Sequence, residues 1–191
     1  MVARTLAGGQ KKALAEGRTI IFIDESGFYL LPMAVRTYAP RGQTPILEEY
    51  LSRDHLSVIG AVTPDGKFIL KIFDHPISSE EVIAFLDLLQ RYIPGLLTVI
   101  WDGSPTHRSK AIQNYLSDGA AKRIHLERLP GYAPELNPTE YVWSYLKKVD
   151  LANVCCNSLP EIRTFLITAK KRLRAKPELI KSFVLHVGYQ V

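Results

Sequence analysis

Cysteine is nearly missing from this chain. Cys155 and Cys156 are the only two and are adjacent, a spacing at which an ordinary structural disulfide is geometrically poor. A disulfide framework is excluded, and a reducing, cytoplasmic setting is expected. Long apolar runs are missing as well: no stretch approaches a membrane-spanning length free of charge. The opening MVARTLAGGQKKALAEGR lacks the apolar centre of a signal peptide, so no membrane partner is expected. Neither a solenoid repeat nor a low-complexity tract interrupts the sequence. What remains is 191 residues, 47% hydrophobic and 23% charged, enough for one well-buried domain over 19–191 behind a short lead-in, 1–18. Lys and Arg total 24 against 19 Asp and Glu, a net charge of +5 that suits a polyanionic partner. The excess peaks in KKRLRAK at 170–176, which reads either as a nucleic-acid contact or as a solvated helix face.

Unbroken apolar runs mark two strands, TIIFID and LLTVIWD, of the kind buried on both faces of a sheet. Between them, 56–62 and 67–73 form a hairpin around Pro64-Asp65-Gly66. A capping box, Ser78 with Glu81, opens a helix carrying Val82, Phe85, Leu86, Leu89 and Ile93 on one face. Shorter signals predict a strand around Val35–Tyr38, a helix over 109–116, a strand over 123–129, and helices over 137–149 and 158–174. Ser158 and Glu161 suggest a second capping box, and Val142, Tyr145, Leu146 and Val149 a buried stripe, with Glu140, Trp143 and Lys147 on the opposite side. Strand, helix, strand favours a right-handed parallel crossover, which sets the strands ending at Asp24 and Asp102 side by side.

Buried strands do not ordinarily finish on an uncompensated carboxylate. Asp24 and Asp102 each do, and Glu140 follows a helix start in which Asn137 is the N-cap and Pro138 the first helical residue. Each has an ordinary explanation: a turn residue for the aspartates, a capping glutamate for Glu140. Gathered at one sheet edge, however, three carboxylates repel one another unless cations lie among them, and hard oxygen donors suit magnesium or manganese. Metal-assisted phosphodiester cleavage is the chemistry such a set predicts.

FIDESGF at 22–28, VIWDGSPTHRS at 99–109 and LPGYAPELNPTEYVWSYLKK at 129–148 resemble, in order and spacing, the three signature blocks of the DDE endonuclease domain of bacterial insertion-sequence transposases, relatives of the mariner-like superfamily. RTYAPRGQTP at 36–45 adds to the likeness, which spans nearly the whole chain. The resemblance implies a ribonuclease-H-like mixed α/β sheet flanked by helices. Asp24, Asp102 and Glu140 then form a catalytic and metal-binding triad for two divalent ions, Mg2+ or Mn2+. Asp102 and Glu140 are 140 − 102 = 38 positions apart, near the family interval.

The implied activity is cleavage at transposon ends followed by strand transfer into target DNA. His107 matches a histidine common after the second acid and is expected to touch DNA or steady the site. Arg36, Arg41, Arg108, Lys110, Lys147 and Lys148 are candidate phosphate contacts, and Glu25 and Glu135 are read as flanking groups. Expected partners are transposon-end and target DNA, a second copy of the chain, and a separately encoded helix-turn-helix subunit, because only 18 residues precede the first predicted strand. Two alternatives stay open on the residues alone: a non-catalytic DNA-binding remnant, and a different ribonuclease-H-like nuclease.

Overall fold

The structure, a computed structural model, describes residue 10 and residues 12–47, 52–130 and 133–189. Most of the lead-in, and Gly131 and Tyr132 of the third block, lie outside the described residues. Five strands form one mixed sheet in the order β3-β2-β1-β4-β5: β1 Arg18–Tyr29, β2 His55–Val62, β3 Phe68–Phe73, β4 Leu96–Trp101 and β5 Ile124–Arg128. Strands β1, β4 and β5 pair in parallel, while β2 and β3 are the expected hairpin, β2 antiparallel to β1 and β3 antiparallel to β2. Helices α1 (Ser79–Tyr92) and α2 (Lys110–Ser117) follow β3 and β4. After β5 come α3 (Pro138–Tyr145), α4 (Leu159–Arg174) and α5 (Pro177–His186).

The period of two along β1 sorts its side chains between two cores. Ile20, Phe22 and Phe28 point toward α3, α4 and α5, packing in one cluster with Val142, Trp143, Leu166, Leu173, Ile180 and Val184. Ile21 and Ile23 point the other way, into a cluster with Val82, Phe85, Leu89 and Ile112 from α1 and α2. Helices therefore cover both faces of the sheet. Among the described residues no helix is long and apolar enough to cross a membrane.

Several expectations need correction. Strand β1 continues five residues past Asp24, because β2 pairs with it as far as Tyr29, whereas the β4 partnership stops at Phe22 opposite Ile100. Asp24 is thus uncovered by the end of its neighbour, not by the end of its own strand. No strand forms around Val35–Tyr38; that arm makes one bridge, Met33 to Ala152, and Val35 exchanges hydrogen bonds with the Asn153 side chain. Helix α3 passes into a π-helical turn over Leu146–Asp150. A wider turn rotates later residues out of register, which leaves Val149 58% exposed while Trp143 is buried. Ser158 caps α4 without a side-chain bond, and Glu161 instead accepts from Asn157 N at 2.9 Å. Helix α5 was not foreseen, although Pro177 at its first turn and buried Ile180 and Val184 carry its signature.

One of the two edge strands, β3, has carbonyls bonded by side chains from α4. Lys170 Nζ donates to Leu70 O at 2.9 Å and Arg163 Nη1 to Ile72 O at 3.4 Å, so two cations of the basic α4 satisfy backbone carbonyls of the sheet.

Candidate active site

Local chemistry brings α3 to the sheet. Asn137 does more than cap: its Oδ1 accepts from Thr139 N at 3.1 Å, and its Nδ2 donates to Ile23 O at 3.2 Å. Thr139 Oγ1 adds a bond to Phe22 O at 3.4 Å. Both residues are buried. The helix start is thereby fixed to the two carbonyls preceding Asp24, and Glu140, the next residue, is carried beside it. Asp102 arrives immediately after β4, where the parallel pairing with β1 brings the two strand regions to the same edge.

Asp24, Asp102 and Glu140 line one cavity of about 340 Å3, together with Gly103, Ser104, Arg128, Leu129, Pro130, Ala133 and Asn137. Burial, reinforced by the charges of Glu140 and Asp102, raises the Asp24 carboxyl from its ordinary 3.8 to about 7. Glu140 is also raised, chiefly by burial; Lys147 opposes the shift and Asp102 adds to it. The acids surround the space without closing on it: among the described residues no three His, Cys, Asp or Glu side chains are gathered tightly enough to hold a metal ion.

Trp143 sets the orientation of Asp24, donating from Nε1 to Oδ2 at 2.8 Å. Its ring occupies the space over Gly60, the residue paired with Asp24 across β1 and β2, and a β-carbon at Gly60 would overlap the ring. Sequence reasoning overlooked Trp143; a glycine facing the acid in the hairpin register is the signal that could have pointed to it. Asn137 as a tether and Arg128 on the cavity wall were overlooked for the same reason, since both depend on contacts distant in sequence.

Glu25 emerges on the opposite face from Asp24, as alternation requires. His107 meets it there: Nε2 lies 3.1 Å from Glu25 Oε1, and Nδ1 lies 2.8 Å from Asp102 Oδ1. The ring stacks on Trp101 at 4.2 Å and 2°. Burial works against a charge on His107, but the hydrogen bond and charge of Glu25, with the charge of Asp102, outweigh it and hold the imidazole above its usual pKa. Its side chain is only 3% exposed, and the ring lies against Asp102. Ser104 N donates to the same Asp102 oxygen at 2.9 Å.

Of the expected phosphate contacts, Lys147 is half-buried, donating to Ser26 Oγ at 2.8 Å. Burial lowers its pKa against the upward pull of Glu140 and Asp24. Arg108, Lys110 and Lys148 are exposed near the second and third blocks, and Arg36 and Arg41 are exposed on the arm after β1. Glu135 is exposed.

A comparison with curated proteins returned no match. Among solved structures, the mariner Mos1 transposase paired-end complex with Mg has a TM-score of 0.65 at 18% identity, covering 100% of this chain and 61% of that one. The isolated Mos1 catalytic domain gives 0.58 at 16% identity, covering 100% and 92% respectively. A simian T-cell lymphotropic virus intasome gives 0.52 at 15%, covering 82% and 47%. At such identities the likeness establishes the fold, the ribonuclease-H-like arrangement of the Mos1 catalytic domain. The chain spans about three fifths of the length of the DNA-bound Mos1 transposase. A family model described as DDE superfamily endonuclease matches residues 19–162, well over half of the sequence, and the chain belongs to that family.

Proposed function

We propose that residues 19–191 are a transposase catalytic domain that cuts DNA at the ends of a mobile element and joins the freed ends to target DNA. Asp24, Asp102 and Glu140 are its catalytic, metal-binding residues. One observation carries this reading: carboxylates from β1, from the turn after β4 and from the first turn of α3 face a single solvent-reached cavity, and burial with mutual repulsion holds Asp24 at about 7. An oxygen-only donor set with unrelieved negative charge fits Mg2+ or Mn2+. The Mos1 complexes with Mg and with Mn support the same assignment. The chemistry a divalent pair supplies in such a site is activation of the attacking oxygen and stabilisation of the leaving one.

The chain's own residues supply the framework. Trp143 orients Asp24, His107 and Ser104 orient Asp102, and Asn137 and Thr139 hold Glu140 against β1. Exposed Arg108, Lys110, Lys148, Arg36 and Arg41 are proposed to bind phosphates, and half-buried Lys147 to balance charge at the acids. Transposon-end DNA, a second copy of the chain and a separate helix-turn-helix subunit are the proposed partners, the first two supported by the paired-end Mos1 complexes. The test is incubation of the purified chain with labelled element-end duplex and Mn2+, scored for nicking and joining. Nicking that survives Glu140→Gln refutes the assignment.

A further inference from the structure

Arg128 ends β5, paired in parallel register with Trp101, the residue before Asp102. Its guanidinium reaches past that position and lies against Gly103, the residue after Asp102: a β-carbon on Gly103 would overlap Nη2, Nε and Cζ of Arg128. The absence of a side chain at 103 is therefore what lets the cation lie there. Both residues line the cavity that holds the three acids.

A guanidinium among carboxylates ordinarily pairs with one. Arg128 does not. Among the described residues its guanidinium makes no ion pair or hydrogen bond, while Asp102 Oδ1 is already taken by Ser104 N and His107. Lys147, the other cation near the acids, is held by Ser26. Arg128 is exposed, and its forked donors stand unspent on the wall of a cavity large enough for a phosphodiester.

We propose that Arg128 is a phosphate-binding residue of the cleavage site, its guanidinium seated over Gly103 to receive the backbone of the bound strand next to the bond that is cut. The proposal rests on the reading of the cavity as a DNA phosphodiester centre. An arginine suits the task because its planar fork takes two phosphate oxygens at once and it stays charged at every working pH.

The test measures binding of a fluorescently labelled duplex by wild type, Arg128→Ala, Arg128→Lys and Gly103→Ala as a function of salt without divalent cations, with nicking in Mn2+ as a second readout. Arg128→Ala is expected to weaken binding about 10- to 100-fold and to lower the magnitude of the log K against log salt slope by about 1. Arg128→Lys keeps the slope but nicks more slowly, because it retains the charge and loses the fork. Gly103→Ala, which forces the guanidinium to shift, is expected to weaken binding in the same direction but by less, and the double variant is no worse than Arg128→Ala alone. Thermal melting confirms that the exposed Arg128 can be truncated without unfolding. Wild-type affinity and slope in Arg128→Ala overturn the proposal even if the wild type nicks DNA. A reduced slope in a chain that never nicks retains the phosphate contact and rejects the cleavage reading.

Discussion

Replacing Asp24 by Asn should stabilise the metal-free fold while abolishing cleavage. In the folded chain the carboxyl sits at about 7 instead of 3.8. Because the folded value is the higher one, protonation favours folding: the contribution is fully present below about 4 and is lost as the pH rises through about 7. At about pH 8 the wild type must hold an ionised carboxylate in a half-buried, negatively charged site, at a cost of up to about 4 kcal/mol. Discounting for water in the adjoining cavity and for rotation of the side chain leaves roughly 1–3 kcal/mol. For a chain of this size that is about 2 to 10 °C in Tm. Asn removes the charge and can still accept the Trp143 Nε1 hydrogen bond. Thermal melts in chelator should therefore place Asp24→Asn above wild type at about pH 8, with the gap narrowing as the pH falls toward about 5. Adding Mg2+ should raise the wild type by mass action and move the variant less. An Asp24→Asn variant that melts at or below wild type at the higher pH refutes the argument that repulsion and burial load this site.

Asp102→Asn and Glu140→Gln should each abolish nicking with less than about a twofold change in duplex affinity, checked by gel assay and binding titration, since neither removes a phosphate contact. Gly60→Ala should cost about 1–3 kcal/mol in denaturant melts, because the new methyl overlaps the Trp143 ring over a well-packed sheet; a silent substitution would mean that Trp143 is not held there. Cys156 is buried, and burial pushes its thiol up to about 11. At about pH 8 it should react with iodoacetamide at least about tenfold more slowly than a free cysteine, as read by mass spectrometry.

The parts of the fold legible in the sequence are those written by neighbouring residues. Ser78 and Glu81 cap α1 with both arms of the box, and Pro64-Asp65-Gly66 turns the hairpin. The apolar runs of β1 and β4 pair in parallel, which is why Asp24 and Asp102 could be placed at one edge. Glu140 was legible as a helix residue, but its approach to Asp24 depends on Asn137 and Thr139 bonding to Ile23 and Phe22, over 100 positions away. Trp143 was assigned away from the buried stripe of α3 because a lone amphipathic helix is read against one core face; here the helix lies across the sheet and its second side meets Gly60 and Asp24. His107 was noticed by position in its motif, yet its burial between Glu25 and Asp102 needs the alternation of β1, the turn after β4 and the Trp101 ring together.

The bonds from Lys170 and Arg163 to the carbonyls of β3 bear on assembly. An open sheet margin invites another strand to add on, and long flat margins are where chains aggregate or recruit extended peptides. Here two positive side chains already occupy acceptors that an incoming strand would need. A strand adding along that margin would have to expel both.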